Sequence, residues 1–242
     1  MLSPNGFQAI LFDLDGTLRH NRPPSFEVFL EHAARLGAPS HPQLRRQVTR
    51  WTHYYWAMSP ELAEDSARFG DLNEDFWEYY AVRCLVHLGQ PLARAHALAP
   101  EMNRYMSEEH QPQDWIPEDV RPTLEMLKAT GFRLGVLSNR DEPCNAYLEE
   151  VDLLKYLDLA LVAGEVDAWK PDPRIFQHAL QRLGVTPSQA VYVGDNYFAD
   201  ILGAQQAGLH PVLIDPDGLF PDAACPVIRS IAELPASLDH SR

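Results

Sequence analysis

The residues in this chain most suited to chemistry are two acids set one residue apart, Asp13 and Asp15, in the stretch AILFDLDGTL (9–18). Four apolar residues, Ala9 to Phe12, run straight into them, and Gly16 and Thr17 follow. A continuous apolar run reads as a strand buried on both faces. The acids then stand at a strand end, where one carboxylate can act as a nucleophile and a neighbour two residues on can carry protons. Taken alone, a strand end followed by DGT is also an ordinary turn, so the other polar residues must decide.

They fall at comparable places. The run RLGVL (133–137) leads into Ser138 and Asn139, and AVYV (190–193) leads into Gly194 and Asp195, with Asp200 five residues later. Lys170 follows the run LALV (159–162) after a short loop, and KPDP then opens a helix. If these strands are parallel, their polar endings share the carboxyl edge of one sheet, where ligands bind in open α/β folds. Two unit charges about 4 Å apart repel by about 4 kcal/mol at an effective dielectric near 20. Asp13, Asp15, Asp195 and Asp200 therefore need protons or a cation beyond Lys170. An all-oxygen donor set points to Mg²⁺. A metal ion with Lys170, the Ser138 hydroxyl and the Asn139 amide forms a cradle for a phosphoryl group. Thr17, Arg19, His20 and Arg140 complete the candidates for holding substrate. Ser138 and Asn139 also fit an N-cap for the helix near DEPCNAYLEE, and the arginines and His20 also fit a solvated surface.

The elements that must position these groups follow from the apolar pattern. The runs at 9–12, 133–137, 159–162, 190–193 and PVLI at 211–214 alternate with helical stretches at 117–131, 172–185 and 197–208. That alternation predicts a parallel sheet covered on both faces. From about 24 to 110 no strand is evident; instead there are four helical patterns broken by Pro and Gly. The expected fold class is α/β: a Rossmann-like, three-layer core over 1–20 and 112–242, with an all-helical domain inserted over 21–111. In the insert, Trp51, Tyr55 and Met58, and Phe76 with Tyr80, have helical spacing and read as bundle core. His53 and Tyr54 are candidates for lining a pocket.

Composition narrows the class. The 20 basic and 34 acidic residues give a net charge of −14, a surface unsuited to nucleic-acid backbones or anionic lipid. The 3 cysteines, at 84, 144 and 225, have no CxxC spacing, which fits a reducing compartment rather than a disulfide framework or zinc site. The opening MLSPNGFQAILFDLDG has no basic segment and meets acids too early for a signal peptide or membrane span. A cytoplasmic protein is expected.

DLDGTL (13–18), LSNR with Ser138 and Asn139, WKPDPRIF with Lys170, and VGDNYFADILGAQQAG with Asp195 and Asp200 together resemble the four ordered signature motifs of the haloacid dehalogenase superfamily. The resemblance implies that Asp13 is the nucleophile, forming an aspartyl-phosphate and also binding Mg²⁺. It implies that Asp15 is first general acid and then general base, with its backbone carbonyl on the metal. Ser138 would hold the phosphoryl oxygens with Asn139 beside it, and Lys170 would neutralise nucleophile and phosphate. Asp195 would complete the metal site, and Asp200 would be a ligand or an orienting partner. The helical insert resembles the superfamily's cap, which excludes water and selects substrate.

The implied activity is Mg²⁺-dependent hydrolysis of a small phosphate monoester. The alternatives are a phosphomutase of the same superfamily, or a binding protein that kept the scaffold without turnover. Dehalogenases and phosphonoacetaldehyde-type hydrolases of the superfamily usually lack the second acid, here Asp15. Its mutases usually carry a hinge histidine where this chain has Ser25. Many relatives carry an acid after DGTL, whereas Arg19 and His20 follow here. The partner implied is a small phosphorylated metabolite, with no nucleic acid and no membrane, and the protein is expected as a monomer or homodimer.

Overall fold

The computed structural model describes residues 6–70 and 72–240. The chain divides into two compact units, Met1–His20 with Ile116–Arg242, and Asn21–Trp115. Its strands and α-helices, in chain order, are β1 (Ala9–Phe12), β2 (His20–Arg22), α1 (Ser25–Arg35), α2 (Pro42–Trp56), α3 (Pro60–Phe69), α4 (Glu74–His87) and α5 (Leu92–Arg104). There follow β3 (Gln113–Trp115), α6 (Val120–Ala129), β4 (Arg133–Ser138), α7 (Asn145–Glu150), β5 (Leu159–Val162) and α8 (Pro173–Leu183). Last come β6 (Ala190–Gly194), α9 (Leu202–Gln206), β7 (His210–Ile214), β8 (Val227–Ile228) and α10 (Leu234–His240).

The α/β unit is a six-stranded parallel sheet in the order β5-β4-β1-β6-β7-β8, with β1 between β4 and β6. Successive side chains of a strand point to opposite faces, and β1 feeds two cores in that way. Ile10 and Phe12 pack with Leu124 and Leu127 of α6 and with Leu234 of α10. Ala9 and Leu11 pack with Phe176 and Leu180 of α8 and Ala204 of α9. Burial on both sides explains why the strands read as continuous apolar runs. The ends of α8 follow local rules: Asp172 caps it through Oδ1 and the Arg174 amide (2.8 Å), Pro173 occupies the first turn, and Gly184 closes it at φ 65°. The helix near DEPCNAYLEE is α7, whose N-cap is Cys144. Ser138 and Asn139 therefore do not cap it.

Among the described residues the Asn21–Trp115 unit has five α-helices, against the four helical patterns of the sequence. The sequence reading lacked α3, whose PELAEDSARF has only two buried positions, Leu62 and Asp65, and so no continuous apolar stripe. The unit continues past 111, because β3 pairs with β2 in a separate two-stranded sheet; Arg22 lies over the Trp115 ring at 4.7 Å. Both strands are three residues long and mostly polar, which hides them from a periodicity search. Tyr55, Phe76 and Tyr80 lie in the bundle core, with Trp51 packed against it. Met58 does not: α2 ends at Trp56, so Met58 is off the helix at φ 55° and exposed. No described helix is long and apolar enough to cross a membrane.

Candidate active site

Parallel register brings the polar strand ends together. Phe12 is level with Val136 of β4 and Val193 of β6, so Asp13 emerges at the carboxyl edge between them, its amide donating to the Val193 carbonyl (2.9 Å). The chain then turns back on itself. Leu14 O accepts from the amides of Leu18 (3.0 Å) and Arg19 (2.9 Å), and Gly16 N donates to Arg19 O (2.7 Å). Gly16 sits at φ 95°, and a Cβ there would fall 2.5 Å from Asp195 Oδ2. Glycine is thus needed both for the turn and for the approach of Asp195. Thr17 Oγ1 donates to Asp195 Oδ1 (3.2 Å), so this hydroxyl, read as a substrate contact, orients an acid.

Lys170 lies at the centre of the buried groups. Its Nζ donates to Asp13 Oδ1 (2.6 Å), Asp200 Oδ1 (2.7 Å) and the Tyr192 hydroxyl (2.9 Å). Asn139 holds the backbone of the same residue: Asn139 Nδ2 donates to Lys170 O (2.9 Å), and Lys170 N donates to Asn139 Oδ1 (2.6 Å). The amide expected beside the phosphate is therefore tied to the peptide of the lysine. Asp200 accepts from Asn196 N through Oδ2 (2.9 Å), while Asn196 Oδ1 accepts from the amides of Phe198 (3.0 Å) and Ala199 (3.1 Å). This side-chain cap starts the turn over Tyr197–Ile201 that aims Asp200 inward. A Cβ on Gly194 would come within 2.4 Å of the Asp200 carboxylate.

Among the described residues, Asp13, Asp195 and Asp200 form a cluster in which one carboxylate oxygen from each lies within 4.8 Å of the others. Lys170 is the cation among the described residues that is hydrogen-bonded to it. Burial pushes the Asp13 carboxyl up to about 7 against the pull of Lys170, and Asp200 adds to the rise. Burial also lifts Asp195 well above the carboxylate range, with Asp13 and Asp200 adding to it. Burial would pull the Lys170 ammonium down, but Asp13 and Asp200 outweigh it and hold it well above its ordinary value. Two acids raised beside a firmly charged lysine mark a site short of positive charge. Three close carboxylates, all oxygen donors, fit a hard divalent cation of the magnesium kind.

Asp15 stands apart from this cluster. Its carboxylate, 38% exposed, is gripped by Arg140 through Nε to Oδ2 (2.8 Å) and Nη2 to Oδ1 (2.7 Å), and Arg19 Nη1 reaches Oδ1 at 3.2 Å. Arg140 is itself placed by its carbonyl, which accepts from Gly164 N (3.1 Å), and by the Tyr147 ring 5.2 Å below its guanidinium. Both arginines, read as substrate contacts, thus meet Asp15. His20 lies in β2 just beyond that turn, and burial lowers its pKa. Ser138 ends β4 as a buried hydroxyl. Tyr192 is hidden in the sequence, where an aromatic inside AVYV looks like core. The available signal was a hydroxyl within an otherwise aliphatic, doubly buried strand, which requires a polar partner.

Residues 7–208 match the family model described as haloacid dehalogenase-like hydrolase. The human haloacid dehalogenase-like hydrolase domain-containing protein 3 is 30% identical over 224 residues, covering 92% of this chain and 86% of that protein. The ribulose-1,5-bisphosphate 5-phosphatase of Halopiger xanaduensis is 32% identical over 213 residues, covering 86% of this chain and 84% of its own length. Among solved structures, the 2-haloacid dehalogenase of Pseudomonas syringae superposes with a TM-score of 0.55 at 31% identity, covering 96% of this chain and 98% of that one. The ordered motifs, the sheet that gathers them and the family match agree: the chain belongs to the haloacid dehalogenase-like hydrolases.

Proposed function

We propose that this hydrolase is a Mg²⁺-dependent phosphatase acting on a small phosphate monoester, with Asp13 as nucleophile. The observation that carries this reading is the charge imbalance around Lys170, whose one ammonium meets two of three clustered carboxyls, Asp13 and Asp200, with Asp195 beside them. A phosphate dianion is repelled by such a cluster unless a further cation joins it, and Mg²⁺, the ion this family generally uses, meets that need. Asp13, Asp195 and Asp200 would hold the ion, with the Asp15 backbone carbonyl as a further donor. When bound, it would supply positive charge to the phosphoryl oxygens and to the Asp13 carboxylate.

In the first step Asp13 Oδ attacks phosphorus as the ester P–O bond breaks, and the leaving oxygen takes a proton from Asp15, which has to be protonated and out of the Arg140 fork to give it. In the second, Asp15 removes a proton from water, which attacks the aspartyl-phosphate, releasing inorganic phosphate and restoring Asp13. Lys170 balances charge on the nucleophile, and Ser138 donates to a phosphoryl oxygen. Asp15 supports an ester over a halide as substrate, because an alkoxide needs a proton to leave and a halide does not. The phosphatase name of the Halopiger relative points the same way, while the Pseudomonas neighbour carries the dehalogenase name. The partner is a small phosphorylated metabolite.

Phosphate release from 4-nitrophenyl phosphate and a panel of metabolite monoesters tests the reading. We expect turnover with Mg²⁺, loss of turnover with EDTA, and loss in Asp13→Asn. Failure to release phosphate from every ester tried, or full activity of Asp13→Asn, overturns it.

A further inference from the structure

We propose that Tyr192 is a positioning residue for Lys170, its phenol oxygen fixing the direction in which the ammonium presents a hydrogen to Asp13. The inference rests on the reading of Asp13 and Lys170 given above.

An ammonium has three hydrogens and accepts nothing. Buried, each hydrogen needs a partner, and the third partner of Lys170 beside Asp13 and Asp200 is the Tyr192 hydroxyl at 2.9 Å. The phenol has one hydrogen of its own, and the Leu137 carbonyl accepts it at 3.1 Å, with Asp200 Oδ1 also near at 3.2 Å. With that hydrogen on Leu137, the phenol turns a lone pair toward Lys170. Tyr192 belongs to β6 and Leu137 to β4, the two strands that flank β1. The fully buried phenol therefore reaches across the strand carrying Asp13.

A neutral acceptor suits this place better than another acid. It satisfies the third hydrogen without adding negative charge to a cluster already short of cations. The ring is held in turn by Phe176, edge to face at 5.0 Å and 73°. Lysine is a point charge on a flexible stem, so its two ends need separate anchors. Asn139 fixes the peptide, and Tyr192 fixes the tip. Without the hydroxyl, one N–H has no acceptor, and the ammonium can shift between its two acids instead of holding one line to Asp13.

The chain offers a clean probe, because its lysines are Lys128, Lys155 and Lys170 alone. The first two have side chains 37% and 53% exposed, so their ammonium hydrogens exchange rapidly with water. In protein labelled with ¹⁵N at lysine Nζ, we expect one slowly exchanging ammonium signal with a nuclear Overhauser contact to the Tyr192 ring. In Tyr192→Phe, exchange of that signal should speed up by about tenfold or more. Turnover of 4-nitrophenyl phosphate should fall about tenfold in kcat with KM within about twofold, a misplacement effect rather than a binding effect. Phe176→Leu, which removes the ring's edge-to-face neighbour and none of the hydrogen-bond partners of Lys170, should lower Tm and leave the slow signal in place.

A folded Tyr192→Phe protein with unchanged exchange and unchanged kcat overturns the proposal. If that variant does not fold, the wild-type ring-to-ammonium contact decides, and its absence overturns the proposal. If the wild-type protein hydrolyses no ester, the phosphatase reading falls, while the exchange measurement still decides what Tyr192 does.

Discussion

Each unit of this protein buries a carboxylate beside a cation, and the two do so differently. In the helical unit, the Asp65 side chain, 3% exposed, receives Arg83 Nε (2.6 Å) and Nη2 (2.8 Å) together with the Tyr55 hydroxyl (2.8 Å). Arg83 also reaches Glu61 at 3.3 Å, and Glu61 accepts from Trp51 Nε1 at 3.1 Å. One buried acid there meets a two-pronged cation and a neutral donor, and its needs are met. In the α/β unit three acids cluster, two of them bonded to one ammonium, and burial pushes Asp13 and Asp195 upward. The first cluster is matched within itself; the second has more acid than cation.

Exchanging the cations breaks this comparison most sharply. Lys170→Met should reduce kcat by at least about a hundredfold, the usual scale for removing a charge aimed at the reacting group. Arg83→Met should instead act on the fold, leaving Asp65 buried and unpaired at a cost of about 3 kcal/mol, a fall in Tm of roughly 6–12 °C for a chain of this size. Steady-state kinetics and thermal melts on both variants separate the two outcomes; equal effects on Tm and kcat in both would erase the distinction.

A smaller effect sharpens it. Mg²⁺ at a hundred times its dissociation constant should stabilise the wild-type protein by about 2.7 kcal/mol by mass action, raising Tm. Asp195→Asn should abolish that rise, and Arg83→Met should keep it, because its lesion lies in the other unit. A calorimetric scan with and without the ion reads both.

The smallest effect concerns His32, which the helical unit buries without a balancing partner at hydrogen-bond distance. Its ring stacks on Tyr105 at 3.7 Å, and Glu101 lies 3.7 Å from Nε2. Burial lowers its pKa, Glu101 and Glu109 pull it up, and Arg35 and Arg104 oppose them. A histidine lowered in the fold is held neutral, so its contribution to stability is present above the ordinary value of 6.5 and is lost as pH falls below it. Melts between about pH 7 and pH 5 should show a decline in Tm that His32→Phe makes shallower.

Asp13 and Asp195 were legible in the sequence because each follows a run buried on both faces, and parallel strands deliver their ends to one edge. Lys170 was legible from its short loop after the run at 159–162 and before the helix opened by KPDP. The rule gives position and not direction. It could not tell that Asn139 turns to the peptide of Lys170, or that Arg140 turns its fork to Asp15, because both depend on loop geometry across the fold. Tyr192 was hidden for a different reason: within a strand, a core aromatic and a buried hydroxyl look alike until the partner strand is known. The helix α3 and the strands β2, β3 and β8 escaped because short or mostly polar elements have no apolar period to read.

Gly16 and Gly194 each leave a gap that a single methyl group would close, against Asp195 and Asp200 respectively. Every charged residue of the site could persist unchanged while one added carbon at either position pushed an acid out of register. Lineages of this scaffold can therefore fall silent without losing any residue that a motif search would score as catalytic, and the two glycines are where an inactive relative is best diagnosed.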